Sequence, residues 1–174
     1  MPVEQYLNLV LLLLVSIAAV NDLATRRIPN RLLLAGLACA FVLHLLSAVP
    51  VDALLDALGG MGVGLAVFLP FYLMRGMAAG DVKMMAVVGA FTNPNEAFEI
   101  AVLTWCVGGV MALVLVLVRG RIRLAIGNIG RMLVGIVTPG VGMLAPVQEK
   151  SAGSMPYGLA IAIGTVAVLA RHYG

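Results

Sequence analysis

Charge is scarce in this chain. Only 11% of its 174 residues are Asp, Glu, Lys or Arg, whereas 62% are hydrophobic and the mean hydropathy is +1.08. A soluble domain of this length cannot hide that much apolar surface, so soluble enzymes and soluble binding modules are excluded and a polytopic membrane protein is left. Cysteine is nearly absent. Cys39 and Cys106 lie in separate apolar runs with no second cysteine at metal or redox spacing, so neither a disulfide framework nor a zinc site is indicated and both are read as small packing residues. Histidine is limited to His44 and His172, too few for a His-rich metal cluster, and no metal or other cofactor is expected. The few aromatics include Tyr6, Tyr72, Trp105, Tyr157 and Tyr173, which fall mostly near the ends of apolar segments, as interfacial aromatics do.

What the chain has in quantity is apolar runs. Six segments can enter a membrane, at about 2–21, 32–49, 57–74, 82–92, 97–118 and 155–170. The first follows Met1-Pro2-Val3-Glu4-Gln5, which has no positive n-region, and no small-residue cleavage site comes after it, so it reads as a retained helix. With the N-terminus outside, the inner loops collect every one of the eleven Lys and Arg residues except Arg171, while Glu4, Asp52, Asp56, Glu96 and Glu99 fall outside, Asp52 and Asp56 in a solvated loop. The sequence therefore predicts an all-α, N-out/C-out protein of about six transmembrane helices, forming a single membrane domain over 1–174. The net charge of +3 is explained by orientation in the bilayer, so lipid is an expected partner and nucleic acid is not. Residues 132–147 are apolar but broken by Gly135, Pro139, Gly140, Gly142 and Pro146, and are read as a re-entrant or interfacial piece of an inner loop.

The fourth segment is short. It begins at Gly80-Asp81 and meets the turn signal Thr92-Asn93-Pro94-Asn95 after a dozen or so residues, which at 1.5 Å per residue is roughly 18 Å of helix against a core of about 30 Å. An aspartate at its start then sits below the inner interface, where a charge is expensive and asks for a purpose. Asp22, at the inner end of the first helix, faces the same side. Two carboxylates held close cannot both ionise easily; one stays protonated as a general acid while the other activates a water, which is how a peptide bond is cut without metal or covalent nucleophile. The competing chemistries are poorly supplied. Both histidines map toward the outer side, the serines Ser16, Ser47, Ser151 and Ser154 have no base at recognisable spacing, and Lys83 lies about 200° around a helix from Asp81 and reads as an interfacial anchor.

The residues Asp22 with Ile28-Pro29-Asn30, then Gly80-Asp81-Val82-Lys83, then Met155-Pro156-Tyr157-Gly158 resemble the three landmarks of type IV prepilin peptidases. These are the A24 intramembrane aspartic peptidases, whose second aspartate sits in a Gly-x-Gly-Asp motif, and the length is similar to the short form associated with tight-adherence (Flp) pili. The resemblance implies an endopeptidase of the bacterial inner membrane that removes a short basic leader from prepilin or pseudopilin precursors at the cytosolic face. It assigns Asp22 and Asp81 as the catalytic pair, with Pro29, Asn30, Ala78, Gly80, Lys83, Pro156, Tyr157 and Gly158 shaping the site. Three features depart from the pattern: Ala78 stands where the motif has its first glycine, Leu159 follows the Pro-Tyr-Gly landmark where a second proline is frequent, and there is no cytosolic Cys-x-x-Cys domain of the methyltransferase-type forms. Peptidase activity alone is expected. Two other classes compete with this reading. A proton-coupled transporter would place its acids near the bilayer midplane on helices of an internal repeat, and no repeat is visible. A non-catalytic pilus or secretion assembly subunit would tolerate Asp22→Asn.

Overall fold

The computed structural model describes residues 3–74, 76–118 and 156–173, and all the regular structure among them is helical. The helices are α1 (Val3–Thr25), α2 (Asn30–Leu45), α3 (Pro50–Leu73), α4 (Ala79–Phe91), α5 (Pro94–Val118) and α6 (Tyr157–Tyr173). The chain divides into two units, Met1–Gly108 with Pro156–Gly174, and Gly109–Met155; of the second, only the last turns of α5 are described. Helices α1 and α3 and the stretch Pro94–Leu115 of α5 are each long and apolar enough to cross a membrane, and α2 and α6 are shorter apolar helices. The protein is a polytopic membrane protein. Residues 132–147 lie outside the described residues, as does Arg75.

Helix α4 is the centre of the first unit. It is apolar all round, and of the residues from Asp81 to Phe91 every one but Lys83 is buried, as expected of a helix enclosed by others. Helices α1, α2, α3 and α6 all pack on it. Its closest neighbour is α3, because that seam has no side chains to hold it apart: a Cβ on Gly60 would run into the carbonyls of Gly89 and Thr92, and one on Gly64 would lie 2.5 Å from the carbonyl oxygen of Met85. Thirteen residues make α4 about 20 Å long. Its far end is fixed by the buried His44 of α2, whose Nε2 lies 3.0 Å from the Ala90 carbonyl oxygen.

Helix ends do not coincide with the ends of the apolar segments. Helix α3 starts at Pro50, several residues before its apolar run, so Asp52 and Asp56 are exposed residues of a helix and not of a loop. Proline in the first turn and an acid near the helix N-terminus both favour helix there, which hydropathy does not register. The Thr92–Asn95 turn is a true break. Asn93 accepts the Glu96 N–H at 2.9 Å and Pro94 opens α5, a proline-led start with a capping side chain. Both cysteines are exposed on the helix surface, so their packing role is corrected. Trp105 lies mid-helix, not at a segment end, packed against Phe68 and Phe71 of α3.

Candidate functional site

Asp22 lies near the end of α1. The helix stops when Arg26 enters the left-handed region at φ 55, donating its N–H to the Asp22 carbonyl at 2.9 Å. That reversal sends Ile28-Pro29-Asn30 over the start of α4. Pro29 is extended and opens α2, and the Ile28 side chain lies 3.7 Å from where a Cβ on Gly80 would be, an ordinary contact. Beside it the Lys83 ammonium donates to Asn30 Oδ1 at 3.3 Å. The loop after the first aspartate is thus laid against the motif that carries the second.

Asp81 is the third residue of α4. Ala78, exposed and extended, precedes the helix and offers no capping side chain; its carbonyl accepts the Asp81 N–H at 3.1 Å, which closes the first turn. Asp22 is 6% and Asp81 7% exposed, so both are carboxyl groups taken out of bulk solvent. Their charges are near enough to act on each other.

The third part is the start of α6. The first N–H groups of a helix have no partner within it, and Pro156, which precedes α6, has no capping side chain. The partner comes from α1: Gly158 donates its main-chain N–H to Asp22 Oδ2 at 2.8 Å, both groups being buried. A Cβ at 158 would lie 2.9 Å from that oxygen and 3.1 Å from Asp22 Cβ, so the glycine is what lets the helix start come this close. Tyr157 turns its ring edge-on to Phe68, with centroids 6.4 Å apart, and lies within reach of the Asp81 charge. Its ring rests on Gly108, where a Cβ would be 2.8 Å from the phenol oxygen.

Of the residues expected to form the site, Asp22, Asp81, Gly80, Pro29, Asn30, Lys83, Tyr157 and Gly158 therefore meet where α1 ends and α4 and α6 begin. Pro156 is at the same place, its carbonyl accepting the Leu159 N–H at 3.2 Å. Ala78 contributes its main chain. Phe68 and Gly108, which hold Tyr157, were not among the expected residues; nothing in their local sequence marks them, and only the contact does. Asp52 and Asp56 are elsewhere, exposed on α3, and His44 is at the opposite end of α4.

Compared with known families, the chain matches the sequence model of the Type IV leader peptidase family over residues 9–113, more than half its length. The matched part includes both aspartates and ends before Pro156-Tyr157-Gly158. No curated protein and no solved structure matches the chain.

Proposed function

The chain belongs to the Type IV leader peptidase family, and from that premise we propose that it is an intramembrane aspartic endopeptidase with Asp22 and Asp81 as its catalytic pair. The family implies a peptidase acting on prepilin-type precursors. The observation that carries the finer reading is that two buried aspartates, 59 positions apart by the difference of their numbers, lie within range of each other's charge inside the matched segment.

In this reading the pair shares one proton. The carboxylate takes a proton from a water as the water oxygen adds to the scissile carbonyl carbon, and the carboxylic acid gives its proton to the carbonyl oxygen. Collapse of that intermediate breaks the C–N bond, with a proton passing to the leaving nitrogen. The two helix starts support it, because the N-terminal ends of α4 and α6 bring partial positive charge to a place that must hold a net negative one.

The substrates are Flp/Tad-type prepilins or pseudopilins, cut at the cytosolic face of the bacterial inner membrane, by a single membrane domain over 1–174 of about six spans oriented N-out/C-out. With α4 only about 20 Å long, the pair is recessed from the surface, and a substrate helix lying beside the enzyme brings its leader junction down to it. The basic inner loops would repel a basic leader, so selection rests on helix packing and on the extended junction. Co-expression with a Flp-type prepilin tests this reading: a smaller product whose N-terminal residue starts the hydrophobic helix supports it, and a precursor left intact by well-expressed enzyme counts against that substrate class.

A further inference from the structure

We infer that the first turn of α6 is the positioning device for Asp22, with Gly158 and, through Tyr157, Gly108 as positioning residues of the peptidase reaction. This rests on the reading of Asp22 as half of the catalytic pair. A carboxylate on a helix end has free χ1 and χ2 torsions, and a dyad works only if both carboxyl groups stay within a fraction of an ångström of the geometry that holds the water and the carbonyl. Asp22 follows no capping pattern of its own helix; its Oδ2 is held from outside by the Gly158 N–H at 2.8 Å.

That donor is itself held in place. Gly158 is buried, the Cβ it lacks would lie against Asp22 Oδ2, Cβ and Cγ at 2.9, 3.1 and 3.3 Å, and the preceding residue, Tyr157, lies between the Phe68 ring, to which its own is nearly perpendicular, and the bare backbone of Gly108. Gly108 is as tight: a Cβ there would meet Tyr157 Cζ and Oη at 2.8 Å. The chain of contacts therefore runs from Gly108 on α5, through the Tyr157 ring, to the Gly158 N–H and the Asp22 carboxylate. In both glycines the atoms that must give way first belong to a side chain of the site and not to a neighbouring backbone: the Asp22 carboxylate at Gly158, and at Gly108 the Tyr157 ring that precedes the Gly158 N–H.

The test uses purified full-length enzyme in detergent micelles and a precursor carrying a basic leader on a pilin-type apolar helix. Gly158→Ala is expected to lower kcat about 10- to 100-fold, the penalty typical of a sub-ångström to one-ångström misplacement, with KM within about twofold of wild type. Gly108→Ala is expected to lower kcat in the same direction by a smaller factor. Two controls separate positioning from general packing. Gly62→Ala meets open space, and Gly36→Ala crowds Leu14 on the same helix as Asp22 but two turns from it; both are expected to retain wild-type kcat. A wild-type kcat in Gly158→Ala overturns the inference, as does an equal loss in Gly36→Ala. Should Gly158→Ala not accumulate, Gly108→Ala carries the test, and wild-type kcat there overturns it. Asp22→Asn and Asp81→Asn run in parallel keep the two readings apart: cleavage by both removes the catalytic pair itself, whereas two inactive variants beside a fully active Gly158→Ala remove only the positioning device.

Discussion

Asp22 accepts the main-chain N–H of Gly158 at 2.8 Å across 136 residues of sequence. The same carboxylate therefore closes the start of α6 and stands within range of the Asp81 charge. A side chain with two such duties separates stability from chemistry when it is changed. Asp22→Asn keeps an oxygen that can accept the Gly158 N–H and is expected to unfold within about 0.5 kcal/mol of wild type, while Asp22→Ala loses the cap at a cost of about 1 kcal/mol. Thermal unfolding in micelles measures both. Equal stability of the Asn and Ala variants would contradict the capping role.

The α3–α4 seam makes a prediction of the opposite kind, on stability and not on the site. A methyl at Gly60 or Gly64 meets backbone carbonyls, which cannot rotate away, so Gly60→Ala and Gly64→Ala are each expected to cost about 1–3 kcal/mol. Gly62, between them, faces open space, and Gly62→Ala is expected to be neutral or stabilising by up to about 1 kcal/mol. Unfolding curves of the three variants would contradict the seam if they coincided.

A shared proton dictates the shape of the pH dependence. The rate is expected to fall at low pH, where both carboxyl groups hold protons and no base remains, and at high pH, where neither does and no acid remains. The two limbs belong to the pair and not to either residue. The profile of kcat/KM against pH checks this, and a rate level across the accessible range would contradict two coupled carboxylates.

Lys83 is beside the motif without belonging to the chemistry. It is exposed, and its ammonium is engaged by Asn30 Oδ1 at 3.3 Å, a neutral oxygen on the loop that covers the start of α4. Lys83→Gln is therefore expected to retain kcat within about fivefold, the scale of one exposed hydrogen bond. Abolished cleavage in that variant, at normal membrane levels, would put a lysine base back into consideration.

Much of this architecture was legible in the sequence, for physical reasons that also mark where reading stops. The long apolar runs of α1, α3 and α5 register as hydropathy, and the shortness of α4 follows from Asn93-Pro94, a capping residue and a helix-opening proline. Hydropathy is blind to polar helix turns, so the start of α3 at Pro50 and the helical setting of Asp52 and Asp56 did not register. Asp22 and Asp81 stood out because carboxylates are costly near a bilayer. The roles of Gly158 and Gly108 did not, since a glycine's importance lies in what fills the space beside it: an Asp22 oxygen and a tyrosine ring, both from distant parts of the chain. Trp105 misled for the same reason, because its position relative to segment ends says nothing of Phe68 and Phe71, which enclose it.

Charge on the substrate leader offers a test of how precursors are selected. In the proposed N-out/C-out orientation the inner loops are themselves basic, so a precursor with a neutralised leader and an unchanged apolar helix is expected to be cleaved at a measurable rate. Complete loss of cleavage would show that the leader's charge is read directly.

The most direct measurement is cleavage of a Flp-type prepilin by purified wild-type enzyme, Asp22→Asn and Asp81→Asn, at equal protein and with unfolding curves recorded for each. The account predicts cleavage by wild type and none above background by either variant, with both variants folded. Cleavage by both variants at rates near wild type would contradict it, leaving the two buried aspartates as fixtures of the fold.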